Sequence, residues 1–117
     1  MSAMIDKIFG TEKAGFILLY LYHYGEMHPR AIARGIEASV SAVQNQLKKF
    51  EDAGVIVSKT VGRSRVYFFN KKNPLTKPLM EMVGIVHSSM SLDDKERLFK
   101  QRARPRRAGK PVIGRVQ

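Results

Sequence analysis

Three groups of residues in this chain carry side chains suited to gripping a polyanion. Ser39, Ser41, Gln44, Asn45, Lys48 and Lys49 gather hydroxyl, amide and ammonium groups into one short segment. Asn and Gln hold a donor beside an acceptor and can pair bidentately with an adenine edge, while hydroxyl and ammonium groups suit phosphate oxygens. Gly62-Arg63-Ser64-Arg65, with Lys59 just ahead of it, places two guanidinium groups around a permissive glycine. Arg102, Arg104, Arg106 and Arg107 lie in a third run, interrupted by Ala103 and Pro105.

The distribution of charge supports the same chemistry. The 117 residues carry a formal charge of +11. Residues 1–40 balance to zero, residues 41–77 hold eight basic against two acidic residues, and residues 101–117 hold six basic and no acidic ones. Two zones therefore own the excess, and a polyanion binds such zones by releasing its counterions. The bland alternative is a solvated basic surface that keeps the protein soluble.

Other chemistries are excluded or lack their residues. Without cysteine there is no disulfide, thiolate metal site or thiol nucleophile. His87 has no second histidine near it in sequence, and His23 and His28 stand far upstream, whereas zinc needs three or four ligands, so no metal is expected. Serines 39, 41, 88, 89 and 91 fall where caps and turns need them, and Asp93-Asp94 sits in a first helical turn. With no Gly-rich phosphate loop, nucleophile elbow or paired-histidine motif, neither an enzyme nor a cofactor is expected. The apolar stretch from Gly15 to Tyr22 is far below the roughly 20 residues that cross a bilayer, and no targeting segment is evident. The expectation is a cytoplasmic, nucleoid-associated protein with no membrane partner.

The elements that must position these groups follow from apolar spacing and caps. Met4, Ile5, Ile8 and Phe9 give a short helix ended by Gly10. Thr11 caps a second helix to Tyr24, closed by Gly25, and its apolar residues lie all round, so it must be surrounded by core or partly faced by a partner chain. His28-Pro29 opens a short helix over residues 30–36 with Ile32, Ala33 and Ile36 inward. Glu37 and Ala38 make a turn, and Ser39 caps a helix from Val40 to about Ala53. At about 100° per residue, Val40, Val43, Leu47 and Phe50 share one face, while Ser41, Gln44, Asn45 and Lys48 occupy another.

Val55-Ile56-Val57 and Val66-Tyr67-Phe68-Phe69 have strand composition and flank the basic segment as a β-hairpin. Asn73-Pro74 opens a helix that carries Leu75, Leu79, Met82, Val83 and Val86. Ser91, with Asp94 three residues on, caps another from Leu92 to about Arg102. Residues 103–117, with Pro105, Gly109, Pro111 and Gly114, cannot bury a core.

This order of elements resembles a mainly α fold with a small β-hairpin: the winged helix-turn-helix, followed by C-terminal helices. Residues 8–83 are similar to winged helix-turn-helix transcriptional regulators of the ArsR-like and MarR-like kind. The likeness is carried by Ala38 to Ile56, which reads as the recognition helix with its "leucine, x, x, alanine, glycine, leucine, isoleucine" ending, Phe50 standing at the usual leucine. Gly62 to Phe68 resembles the wing and its returning strand, and Glu37 stands where that family often has the turn glycine.

The resemblance implies a homodimer that reads double-stranded DNA and acts as a repressor. Ser39 and Ser41 would meet phosphate, Gln44, Asn45 and Lys48 would face the major groove, and Arg63 and Arg65 would serve the wing; Lys49, Lys59 and Ser64 join them as DNA-binding candidates. Arg102-Ala103-Arg104-Pro105-Arg106-Arg107 resembles an AT-hook, with Ala103 where that motif has glycine. The organisation expected is a DNA-binding unit over 1–72, dimerisation helices over 73–102 and a basic tail over 103–117. Ile17, Leu21, Tyr24, Leu79, Met82, Val86 and Phe99 are the expected dimer contacts, from their surplus of apolar surface. The alternatives are an architectural DNA-binding protein with little sequence preference, and a winged helix that docks RNA or protein. Met80, Met82 and Met90 offer adaptable lining for an effector, which the sequence does not name.

Overall fold

A computed structural model of the chain describes residues 12–103. The expected helix over residues 4–9, the Thr11 cap and the tail beyond Ala103 lie outside them. In chain order the elements are α1 (Glu12–Tyr24), β1 (Glu26–Met27), α2 (Pro29–Ile36), α3 (Val40–Asp52), β2 (Ile56–Val61), β3 (Ser64–Phe69), α4 (Thr76–Ser89) and α5 (Leu92–Ala103).

Helix α1 is the axle of the domain. Ile17, Leu18, Leu19, Tyr20 and Leu21 are all buried, five consecutive side chains pointing round the full circumference. That arrangement requires neighbours on every side, and α2, α3, α4 and the sheet supply them. The apolar surplus assigned to a partner chain is therefore largely consumed within this one. Ile17, Leu21, Val86 and Phe99 belong to a single core cluster with Ile32, Val43, Leu47 and Ile56, so they cannot form an exposed dimer face. The large apolar residues left outside are others: Tyr22 (38% exposed), Ile85 (67%) and Leu92 (75%), with Leu75 and Val61.

The helix-turn-helix is built as its caps dictate. Pro29 occupies the first turn of α2, where its missing N–H leaves no carbonyl unpaired. Glu37 closes α2 in the left-handed region at φ 58° and ψ 48°, the conformation that glycine adopts without steric cost. Ser39 then caps α3, its Oγ accepting from the Ala42 N–H at 3.1 Å. Val43 and Leu47 are buried on the inner face of α3.

The wing is longer and tighter than the two expected strands. The register runs from Ile56 opposite Phe69 to Val61 opposite Ser64, leaving Gly62 and Arg63 as a two-residue turn. Gly62 has φ 63° and Arg63 lacks a positive φ, the pattern of a type II′ hairpin. Arg65 consequently lies in β3 rather than at the tip. A third strand, β1, pairs antiparallel with β3 through Glu26–Phe68 and Met27–Tyr67, giving the order β1-β3-β2.

Helix α4 starts at Thr76, two residues after Pro74. The Asn73 side chain first closes a turn, its Oδ1 accepting from Leu75 N at 2.9 Å. Asn70 and Asn73 both donate to the Gly54 carbonyl at 2.9 Å, tying the end of the wing to the end of α3. Ser91 caps α5 by accepting from Asp94 N at 3.0 Å. Leu92 begins that helix outside the core, and Phe99 anchors it within.

Candidate nucleic-acid interface

The outer face of α3 separates as its periodicity requires. Ser41, Gln44, Asn45, Lys48 and Lys49 are exposed, while Val43 and Leu47 are buried beneath them. Lys48 makes an i,i+4 ion pair with Asp52 at 3.7 Å, with both side chains mostly in solvent. Such a pair is worth only roughly 0.3–0.5 kcal/mol, so it leaves Lys48 available to a stronger anion. Ser39 uses one lone pair for its cap and keeps its O–H as a donor.

Beside this face runs a groove of about 620 Å³ between the start of α2, the start of α3 and the wing. Gln44, Arg63, Ser64 and Arg65 line it, so the structure brings together one candidate from the helix and three from the hairpin. The groove also contains residues that the sequence reading did not select: His28, Arg30, Arg34 and Tyr67. Arg30 and Arg34 stand one turn apart on α2, opposite the buried Ile32 and Ala33, so both guanidinium groups are held over the groove wall. No carboxylate lines the groove, and among the described residues Arg30, Arg34 and Arg63 have no acidic partner.

Arg65 is held differently. Its Nη1 donates to Ser58 Oγ at 2.9 Å, and Ser58 Oγ donates to Glu51 Oε2 at 3.3 Å. The chain of contacts links the wing to the last turn of α3. Tyr67 lies on the same face of β3, and its phenol titrates above the ordinary value of 10.0 because it is partly buried and lies near the Glu51 carboxylate, with Arg65 acting in the opposite direction. Tyr67 is therefore a neutral hydroxyl at any physiological pH, able to donate to phosphate.

Lys59 stands apart from the groove. Its ammonium pairs with Glu26 Oε1 at 3.2 Å and lies 5.5 Å from the centre of the Phe68 ring, reaching across β3 to β1. Arg102 falls in the last turn of α5, but its side chain, with Arg104, Arg106 and Arg107, lies outside the described residues. Among the described residues no cluster of three or more His, Asp or Glu is placed to hold a metal ion, and no helix is long and apolar enough to cross a membrane. His87 does have a histidine neighbour, distant in sequence: His23 Nδ1 and His87 Nε2 are 3.0 Å apart.

No protein-family model and no curated protein sequence matches the chain. Solved structures do. Adhesin competence repressor AdcR from Streptococcus pyogenes aligns over 86% of this chain and 75% of its own, at 16% identity and a TM-score of 0.59. A point mutant of ZitR from Lactococcus lactis aligns over 78% of this chain at 21% identity and a TM-score of 0.57, and the chain spans about three-fifths (61%) of the ZitR chain. MepR, a transcription regulator of the Staphylococcus aureus multidrug efflux pump MepA, aligns over 86% and 80% at 18% identity and a TM-score of 0.53. At these identities the likeness is one of architecture, and with the helix-turn-helix, the hairpin and the three-stranded sheet it establishes that this chain has the winged-helix fold.

Proposed function

We propose that this protein binds double-stranded DNA as a homodimeric transcriptional regulator and acts by repression. The observation that supports it most strongly is the four-arginine groove beside an α3 face made of hydroxyl, amide and ammonium groups. An α-helix fits the major groove, and Gln44 and Asn45 have the donor–acceptor pairs to read base edges there. Arg30 and Arg34 from α2, and Arg63 and Arg65 from the wing, would then take the phosphates on either side. Ser39, Ser41, Lys48, Lys49 and Ser64 add backbone contacts, and Tyr67 offers a further donor. Arg102, Arg104, Arg106 and Arg107 would extend the contact along the duplex, as the AT-hook resemblance implies.

The regulator names carried by AdcR and MepR agree with this reading. In it the helices over 73–102 serve pairing, with exposed Tyr22, Ile85 and Leu92 replacing the buried residues first assigned to the dimer face. Light scattering at micromolar concentration would then give twice the 13.3 kDa of the chain.

Binding of a labelled duplex in rising salt tests the reading. The logarithm of affinity falls linearly with the logarithm of salt, and Arg30→Ala with Arg34→Ala makes that slope shallower by about 2, close to one unit for each phosphate contact removed. A duplex that does not bind at about 50 mM salt, or a double variant that binds like wild type, overturns it.

A further inference from the structure

His23 and His87, 64 positions apart in the chain, form one unit where α1, α4 and α5 meet. Their facing nitrogens, Nδ1 of His23 and Nε2 of His87, are at hydrogen-bonding distance, 3.0 Å. His23 also lies flat on Phe99, with ring centroids 3.8 Å apart and planes 6° apart. Phe99 is the buried anchor of α5, and two tyrosines of α1 hold the backbone around it: Tyr24 Oη donates to the Phe99 carbonyl at 2.9 Å, and Tyr20 Oη to that of Leu98. The imidazole pair is thus continuous with the seat of Phe99 on α1, while the rest of α5 packs along α2.

The groups facing the pair come from all three helices. Helix α5 brings Lys95, with Asp93, Glu96 and Arg97 along the same groove beside His23. Helix α1 brings Tyr24, edge-on to His23, and Tyr22, 5.2 Å from the His87 ring. From α4 the facing group is His87 itself. Partial burial and then the Lys95 ammonium lower both imidazoles from the usual 6.5, and His23 adds to the effect on His87.

We propose that His23 and His87 form a proton-operated latch that fastens α4 to α1 beneath the seat of Phe99 of α5 and opens when both rings are protonated. The latch does not depend on the DNA-binding reading. With no added proton, the N–H of one ring points at the lone pair of the other. With one added proton, an imidazolium still donates to an imidazole. A second proton sets two N–H groups head to head and brings two positive charges together beside Lys95, so the contact fails.

The direction in pH follows from linkage. Because both groups titrate below 6.5 in the folded chain, the released form binds more protons, and the stability they contribute is present above about 6.5 and is lost as pH falls. The two steps belong to the pair rather than to either ring. Acid would thereby loosen the junction of α1 and α4 and, through the Phe99 ring stacked on His23, the seat of α5.

Proton NMR of the full chain between pH 8 and pH 4.5 tests the latch. The expected result is a coupled, two-step titration of the His23 and His87 imidazoles, with the exchange protection of the amides around His87 and over 92–99 falling at the second step. In His87→Gln, whose amide can hydrogen-bond but does not titrate, protection of α5 shows no acid step. Independent single-step titrations in wild type, or an acid step in α5 that survives His87→Gln, overturn the proposal. The wild-type titration decides it even if the variant does not fold.

Discussion

Arg65 of the wing reaches α3 through a single hydroxyl: its Nη1 lies 2.9 Å from Ser58 Oγ, which lies 3.3 Å from Glu51 Oε2. Its neighbour Arg63, in the turn, has no such support. A guanidinium already oriented loses less side-chain freedom when it meets phosphate, so the two arginines are not equivalent. Arg63→Ala and Arg65→Ala should both weaken binding to any duplex and reduce the salt slope by about 1 each. Glu51→Gln should weaken duplex binding only where Arg65 is present. A double-variant cycle measures this: additive losses for Glu51→Gln and Arg65→Ala would show that the relay does not position Arg65.

Glu37 joins α2 to α3 at φ 58°, where a Cβ crowds the following carbonyl. Glu37→Gly should raise unfolding stability by about 1 kcal/mol, the relief of left-handed strain exceeding the extra freedom gained by the unfolded chain. Urea unfolding with an unchanged slope checks it. A loss of stability would mean that the Glu37 side chain supports the turn.

Gly35 is required for another reason. A Cβ at this position in α2 would overlap the buried Tyr20 hydroxyl and ring, which form part of the central core. Gly35→Ala should therefore destabilise by about 1–3 kcal/mol, despite the better helix propensity of alanine. Thermal melting reads the outcome, and an unchanged or higher Tm would contradict the packing of α2 on Tyr20.

Thr76, in the first turn of α4, is fully buried and its Oγ1 has no hydrogen-bond partner. An unpaired buried hydroxyl carries a desolvation cost, so Thr76→Val should stabilise by about 1 kcal/mol in urea unfolding. Destabilisation by that amount would reveal a partner for the hydroxyl.

Helices and caps were legible in the sequence because their signals are local. Ser39, Ser91, Gly25 and Gly54 stand where elements end or begin, and the four buried-side and four exposed-side positions of α3 follow from a single angle per residue. What the sequence hid is non-local. Two residues, Glu26 and Met27, cannot show a strand period, and only β3 makes them a strand. Asn73-Pro74 carries a genuine start signal, yet the Asn73 side chain builds a turn before α4 begins.

Arg30 and Arg34 were masked by averaging, since residues 1–40 balance to zero while these two project from one face of one helix. Their i,i+4 spacing opposite Ile32 and Ala33 was the available signal. Lys59 lies beside the basic turn in sequence but on the opposite face of the sheet from Arg65, near Glu26 and Phe68, which strand alternation shows only once the pairing is known. Of the apolar residues assigned to a dimer, Ile17, Leu21, Val86 and Phe99 lie in the core instead, because all-round hydrophobicity marks a central helix as well as a shared one, and here the chain itself surrounds α1.

The central claim, that the α3 face reads bases, is tested most directly by selecting sites from a random duplex pool at about 150 mM salt, where charge-driven background is suppressed. Wild type should enrich an inverted repeat with half-sites about one helical turn apart. Gln44→Ala and Asn45→Ala should each relax the preference at one position of each half-site by about 1–3 kcal/mol, leaving affinity for random DNA unchanged. Tight binding with no enriched motif, or equal losses on selected and random DNA for both variants, would contradict the account and assign the protein to architectural, sequence-independent DNA binding.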